Sequence, residues 1–390
     1  MTRSLAQRLQ TIQPFFVMDV LAKAQALQAA GRDVIHLEVG EPDFPTPAPI
    51  VAAAQHALSV GHTRYTPALG LPQLREKIAE FYWQRYQVKV DPRQVVVTSG
   101  ASGALLLLNA LLFDADDEVI LPDPCYPCNR HFLSLVGARA KLIPTEGANN
   151  FALSDSALKG VLSQNSKALM LASPNNPTGT ILSKASLEKM ARFCRESNLH
   201  LVLDEIYHGL VYEADCPSIL QVERDAFVIN SFSKYFGMTG WRLGWIVAPL
   251  DTISELDKLA QNFFIAPSTI AQHAALAAFS DESIAIMEAQ REELKKRRDF
   301  LLANLPSLGF KVEGAPQGAF YVYADISGLK HPQAHDSLAF CGELLEKSFV
   351  AITPGLDFGF YQAGSKVRFA YTAPIPRLEE GLGRMRKLWT

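Results

Sequence analysis

No apolar stretch in this 390-residue chain approaches the roughly 18 residues that a membrane-spanning helix needs. The longest candidate, 104–113, is short and is interrupted by Asn109, so no membrane association is expected. Cysteine is scarce. Five cysteines in a chain of this length make no disulfide framework, and the odd count fits a reducing compartment. Arg3 and Arg8 have no apolar core behind them, so no secretory signal is expected. An excess of one charge is also missing. Thirty-seven Lys and Arg stand against forty Asp and Glu, a formal net charge of −3, which argues against a dedicated nucleic-acid binder. The one basic cluster, Lys295 to Arg298, follows Glu292 and Glu293 and reads as a solvated helix face. Low-complexity tracts and solenoid repeats are absent too. The expectation is a cytoplasmic protein with neither nucleic acid nor membrane as partner.

What the chain does have is a large stock of core-forming residues: 48% are hydrophobic and 20% charged, enough for two or three domains or one large domain with a lobe beside it. Short β-branched runs alternate with helical stretches. Strands are predicted at 94–98, 118–121, 140–143, 168–171, 201–203, 226–230 and 244–247, with helices such as 101–113 and 183–197 between them. Several of these runs are apolar almost throughout, as strands covered on both faces are. The pattern predicts an α/β fold whose mostly parallel seven-stranded sheet is flanked by helices. Outside it, helices are predicted at 14–30 and 46–60, ended by Gly31 and Gly61, and one helical tract at 270–305. Strands near 320–324 and 367–371 and helices near 336–347 and 376–388 read as a smaller α+β unit. We expect a large domain at 46–285 and a small one built from 1–45 and 286–390.

In open α/β sheets ligands bind at the carboxyl ends of the strands, and the unusual residues fall there. After 94–98 comes Ser99-Gly100-Ala101-Ser102-Gly103, opening a helix. Small residues at a helix N-terminus admit an anion to the backbone amides, although a plain turn would look the same. After 168–171 come Asn175, Asn176, Pro177, Thr178 and Gly179, a rigid loop that offers an amide. The strand 201–203 runs into Asp204, with Tyr207 three residues on. An acid there either caps a helix or pairs with a cation such as a cofactor ring nitrogen. The strand 226–230 runs into Ser231, Ser233 and Lys234, with Arg242 following. Such a group is a phosphate-binding cluster, a Schiff-base nucleophile or an ordinary surface lysine. Each signal has a plain reading alone; four on successive strand ends are hard to ascribe to accident.

In this order the chain resembles the class I/II aminotransferases, pyridoxal 5'-phosphate (PLP) enzymes of the aspartate aminotransferase fold, PLP fold type I. The resemblance rests on Gly40-Glu41-Pro42-Asp43-Phe44, Arg64-Tyr65, Gly70, Leu74-Arg75 and Thr98 to Ser102. It continues through Asn175 to Gly179, Asp204 to Tyr207, Ser231 to Lys234, Thr239 to Trp245 and Val367-Arg368-Phe369. The resemblance implies that Lys234 carries PLP, that Asp204 pairs with its pyridine nitrogen, and that Asn176 and Tyr207 bond its phenolic oxygen. It implies Tyr126 as the stacking aromatic and Ala101, Ser102, Ser231, Ser233 and Arg242 as the phosphate site. Tyr65 corresponds to a tyrosine that reaches the neighbouring subunit's phosphate, which implies a homodimer with shared sites. Arg368 corresponds to the arginine that binds the substrate α-carboxylate, helped by Asn176 and the amide of Gly40. No metal is implied.

The implied activity is transfer of an amino group from an L-α-amino acid to a 2-oxo acid such as 2-oxoglutarate or pyruvate, by a ping-pong route through Lys234. A carbon–sulfur β-lyase on the same fold shares these residues and is the alternative. A ligand-sensing domain of a transcription regulator fits poorly, because only 39 residues precede Gly40 and Lys234 is intact. Some bacterial aspartate aminotransferases carry a lysine where this chain has Ser102, which argues against an acidic donor. Phe15, Phe16, Phe358 and Tyr361 fall in segments that border the pocket in relatives and lean toward a neutral or apolar one, although ordinary packing between lobes would place them there equally well. Cys125-Tyr126-Pro127-Cys128 looks like a C-x-x-C motif but lacks further ligands. His208 reads as a packed histidine.

Overall fold

The computed structural model of the chain describes residues 5–10 and 12–388. Helix α1 (Phe16–Ala29) leads to the short strand β1 (Ile35–His36) and then to α2 (Ala48–Ser59) and α3 (Pro72–Tyr86). Strand β2 (Val95–Thr98) opens the central alternation. It proceeds through α4 (Gly100–Leu112), β3 (Glu118–Asp123), α5 (Cys128–Val136), β4 (Arg139–Pro144), α6 (Asp155–Val161) and β5 (Ser166–Ala172). It then runs through α7 (Lys184–Glu196), β6 (His200–Asp204), β7 (Phe227–Ser231) and β8 (Gly244–Val247).

These strands form one seven-stranded sheet in the order β2-β8-β7-β6-β5-β3-β4, parallel except for β8, which runs against both neighbours. The apolar runs were legible as strands because both faces are covered. Val95 and Val97, Leu169 and Leu171, Leu201 and Leu203 belong to one buried cluster. The alternate residues Val96, Ala168, Met170 and Val202 belong to a second cluster with α4 residues such as Leu105 and Leu108. Period-two alternation therefore divides one strand between two cores, and no polar face is left.

After the sheet come α8 (Ile253–Phe263), α9 (Thr269–Leu276) and α10 (Asp281–Asn304). The single tract expected at 270–305 is thus two helices. Ser280 interrupts it: its side chain accepts from the Ser283 amide, and Asp281 and Glu282 follow in the first turn, the composition of a helix start. The expected solvated face of α10 also needs correction. Arg297 and Arg298 turn inward. The guanidinium of Arg297 donates to Asp43 at 2.7 Å and to the Thr372 carbonyl at 2.6 Å, and its plane lies 4.8 Å from the Phe44 ring. Arg298 pairs with Glu213 and Asp299.

The remaining elements are β9 (Lys311–Val312), β10 (Tyr321–Asp325), α11 (Ser337–Ser348), β11 (Val350–Ala351), β12 (Thr353–Pro354), β13 (Lys366–Ala370) and α12 (Ile375–Leu388). Strands β12, β13, β10 and β9 form an antiparallel four-stranded sheet, while β1 pairs in parallel with β11. That last pairing brings the N-terminal segment 35–40 beside the C-terminal elements. Among the described residues, no helix is long and apolar enough to cross a membrane.

Candidate active site

The carboxyl ends of β2, β3, β5, β6 and β7 converge on a cavity of about 420 Å³. The four-stranded sheet closes it from the far side with Arg368 and Tyr321, and the first turn of α1 walls it with Val17 and Met18. Of the thirteen residues to which the resemblance gives a role, eleven border it: Gly40, Ala101, Ser102, Tyr126, Asn176, Asp204, Tyr207, Ser233, Lys234, Arg242 and Arg368. Ser231 and Tyr65 do not. Ser231 lies beneath the wall and donates to Ser233 Oγ at 2.9 Å. Tyr65 is 81% exposed on the outer surface.

Lys234 reaches into the cavity, and its Nζ donates to the Gly40 carbonyl at 2.7 Å. Burial pushes its amine down to about 8, with Arg368 and Arg242 acting the same way against Glu41 and Asp204. A larger fraction of the amine is therefore unprotonated at neutral pH than in an exposed lysine. Asp204 ends β6. One of its oxygens accepts from the Ile206 amide at 3.0 Å, and no described residue donates a hydrogen bond to the other. Burial raises its carboxyl to about 6, against the Ile206 amide and Lys234. Asp204 thus makes a local turn bond and also presents a carboxylate oxygen to the cavity.

Arg368 is 2% exposed. Its guanidinium donates to Asn176 Oδ1 at 2.9 Å, to Thr353 Oγ1 at 3.2 Å and to the Glu38 carbonyl. It lies against the rings of Tyr321 at 4.2 Å and Phe358 at 4.7 Å. Its Nε has no partner, and among the described residues no acid forms an ion pair with it. Asp357, which feels its charge, gives both oxygens to the amides of Phe16 and Val17. A buried cation without a counter-ion is costly unless a ligand supplies one.

At the opposite end, α4 begins with Ser99 as N-cap. Its side chain caps no amide, and no acid follows in the first turn. The first-turn amides and the positive end of the helix face an open space beside Ser102, Ser233 and Arg242. Gly100 has φ +73°, and a Cβ there would come within 2.6 Å of Arg242 Nη2. Glycine therefore lets the guanidinium approach the helix start.

Several residues of the site were given no role from the sequence. Tyr321 borders the cavity, and its hydroxyl lies 2.8 Å from that of Tyr207. Alternation along 320–324 put Tyr321 and Tyr323 on one face but could not say what that face met. Glu41 takes a hydrogen bond from Thr239, and Glu38 serves through its main-chain carbonyl, which composition cannot reveal. The four aromatics divide between the two readings. Phe15 lines the cavity, whereas Phe358 stacks behind Arg368 and Tyr361 bonds Glu146 at 2.7 Å. Phe16 contributes its amide to Asp357. The apolar wall comes instead from Val17, Met18, Val39, Leu105 and Ile206. His208 is buried, bonded to Tyr86 at 2.8 Å and pushed down to about 3 by burial, as befits a packed histidine.

This arrangement of an enclosed lysine, an acid at a strand end, an anion cradle and an unpaired arginine accompanies a family match. The model of the class I and II aminotransferases covers residues 32–384, and the chain belongs to that family. It is accordingly an aminotransferase of the PLP-dependent kind. Among individual proteins it is 40% identical to a valine–pyruvate aminotransferase of Mycobacterium tuberculosis, over 96% of this chain and 96% of that one. It is 36% identical to an aspartate aminotransferase of Thermotoga maritima, over 98% of each. The crystal structure of an aminotransferase from Mycobacterium tuberculosis superposes with a TM-score of 0.94 at 39% identity, covering 100% of this chain and 99% of that one.

Proposed function

We propose that the protein transfers the amino group of a neutral or apolar L-α-amino acid to a 2-oxo acid, such as pyruvate or 2-oxoglutarate, by a ping-pong sequence in this cavity. The observation that carries the reading is Arg368, a buried guanidinium lacking an acidic partner across the cavity from the Lys234 amine. An α-carboxylate there accepts the paired donors of a guanidinium fork.

The residues present fit PLP. The uncapped start of α4 with Ser102, Ser233 and Arg242, backed by Ser231, suits a phosphate. The free oxygen of Asp204 suits a protonated pyridine nitrogen, and Tyr126 is placed to lie against a ring. Asn176 and Tyr207 offer donors for a phenolic oxygen. When bound, PLP supplies an electron sink for the charge left at the substrate Cα.

The chain's own groups do the rest. Arg368 and Asn176 orient the carboxylate, with the Gly40 backbone beside it. The Lys234 amine would hold the cofactor covalently. Left free when a substrate is bound, and with its basicity lowered by burial, that amine would be suited to take the proton from Cα and return it two atoms along, on the carbon beyond the amine nitrogen.

At the side-chain end, Val17, Met18 and Leu105 surround the space, and Ser102 offers no positive charge. Similarity to a valine–pyruvate aminotransferase supports a neutral donor. We further propose that the cavity lies between a large unit, 46–285, and a small unit, 1–45 with 286–390. In this reading two such chains pair in the cytoplasm, each bringing Tyr65 to its neighbour. The test is a panel of donors, including valine, alanine and aspartate, each with pyruvate and 2-oxoglutarate. The kcat/KM should be at least about tenfold higher for the best neutral donor than for aspartate, the scale of about 1.4 kcal/mol of discrimination. Preference for aspartate would overturn the substrate class. Ammonia and a 2-oxo acid released without a new amino acid would mean β-elimination instead.

A further inference from the structure

Tyr321 sits where the carboxylate end and the ring end of the cavity meet. It lies on β10, paired with Ala370, while Arg368 two residues away on β13 faces Tyr323. The two side chains are diagonal neighbours on one sheet face, within reach of a ring and a long cation. The Arg368 guanidinium lies 4.2 Å from the Tyr321 ring centre. On its other side the Tyr321 hydroxyl is 2.8 Å from the Tyr207 hydroxyl, and the two rings meet edge to face at 5.7 Å. Space for that hydroxyl is reserved. A Cβ on Gly40 would stand 2.1 Å from it, and the Gly40 carbonyl is the one that holds Lys234.

We propose that Tyr321 is a positioning residue, donating its hydroxyl proton to Tyr207 and carrying Arg368 on its ring, so that occupation of the carboxylate site alters the hydrogen bond Tyr207 gives inside the cavity. The inference rests on the function proposed above. Each phenol has one proton, and the bond between the two uses one of them. If Tyr321 donates, the Tyr207 proton is free for an acceptor in the cavity, and the two bonds strengthen each other. If Tyr207 donates, its proton is spent. The charge over the Tyr321 ring decides the direction, because it draws electron density from that phenol and makes it the better donor. Burial raises both phenols, Tyr207 well above its ordinary value, and Arg368 opposes the rise at both, but of the two it is the Tyr321 ring that its guanidinium lies over. Asp204 acts on Tyr207 with the opposite sign to Arg368. A carboxylate bound to Arg368 partly neutralises that charge and so weakens the donation.

The test compares the PLP-loaded wild type with Tyr321→Phe, which keeps the ring and removes the hydroxyl. The readout is the pH midpoint of the visible absorption, with and without 3-phenylpropionate, a carboxylate that has no amine to transfer. Loss of the donor should raise the midpoint by about half a pH unit, the scale of one hydrogen bond. The shift that 3-phenylpropionate induces in the wild type should fall at least by about half, while its Kd changes less than about threefold, because the ring beneath Arg368 remains. In a Tyr207→Phe background the Tyr321→Phe change should add no further shift. An unchanged midpoint with an undiminished carboxylate shift overturns the proposal, as does an equal effect of Tyr321→Phe without the Tyr207 hydroxyl. Should Tyr321→Phe fail to fold, Tyr207→Phe alone must show the smaller carboxylate shift. A wild type that forms no visible band with PLP overturns the parent reading rather than this one.

Discussion

At the scale of single residues, the site is built from groups held in states that the fold alone disfavours. Asp204 shows this clearly. Its carboxyl is raised from the ordinary 3.8 to about 6 by burial, against the Ile206 amide and Lys234. Between those pH values the folded chain keeps a proton that the unfolded chain has lost, so stability falls as pH rises through that window. Above about 6 the whole cost of an ionised buried acid is present. Asp204→Asn keeps an oxygen for the Ile206 amide and removes the charge. The apoprotein variant should therefore be more stable than the wild type at pH 7, by on the order of 2 kcal/mol. The gain should disappear below about pH 4. Urea unfolding of both proteins at the two pH values measures it, and the same variant should bind PLP far more weakly. A variant no more stable at pH 7 would mean that the acid is satisfied by the protein alone.

Among the elements, α1 has a role its sequence did not announce. Its first two amides, Phe16 at 3.0 Å and Val17 at 3.2 Å, are capped by Asp357 from more than three hundred residues away in sequence. The preceding residue, Phe15, caps nothing with its side chain. A helix start held by a distant carboxylate carries part of the cavity wall, Val17 and Met18. Asp357→Ala should cost about 1–2 kcal/mol of stability, as loss of a buried cap does. It should raise KM for apolar donors several-fold with kcat little changed, since in the proposed function the wall would meet the substrate side chain and not the reacting atoms. Asp357→Asn, which keeps one acceptor, should fall between. An equal loss in kcat would place Asp357 nearer the chemistry. Elements of the central sheet were legible because their signals are local: continuous apolar runs for β5 to β8, and glycines where α1 and α2 stop. The missed features are non-local. The two-residue pairing of β1 with β11 has no pattern to detect, and Arg297 turns inward for Asp43 although its neighbours in sequence are those of an exposed face. Only the break at Ser280 had a local signal, a capping serine before two acids.

For the whole molecule, the site residues at the ends of β2, β5, β6 and β7 could be named from sequence because a parallel sheet gathers its strand ends on one edge. Tyr321, Val17 and Met18 could not, since they arrive from other elements. Tyr65 is the exception in the opposite sense, named from the resemblance yet 81% exposed and outside its own chain's cavity. In the proposed pair, related by a twofold axis, each Tyr65 would enter the neighbour's phosphate site, and each site would then take residues from both chains. This arrangement has a consequence that a self-sufficient site does not. Tyr65→Ala should weaken PLP binding, and Lys234→Ala should abolish its covalent attachment, so each variant alone is impaired. Unfolding and refolding them together lets subunits exchange. In a mixed pair, the chain that keeps Lys234 receives an intact Tyr65 from its partner, and one of the two sites is restored. With equal amounts and random pairing, half the pairs are mixed and about a quarter of all sites regain wild-type PLP affinity. Borohydride trapping at a PLP concentration too low for the Tyr65→Ala protein counts those sites. Affinity in the mixture that merely averages the two separate variants would show that Tyr65 does not act across a subunit boundary, and the chain would need to complete its phosphate site from its own residues.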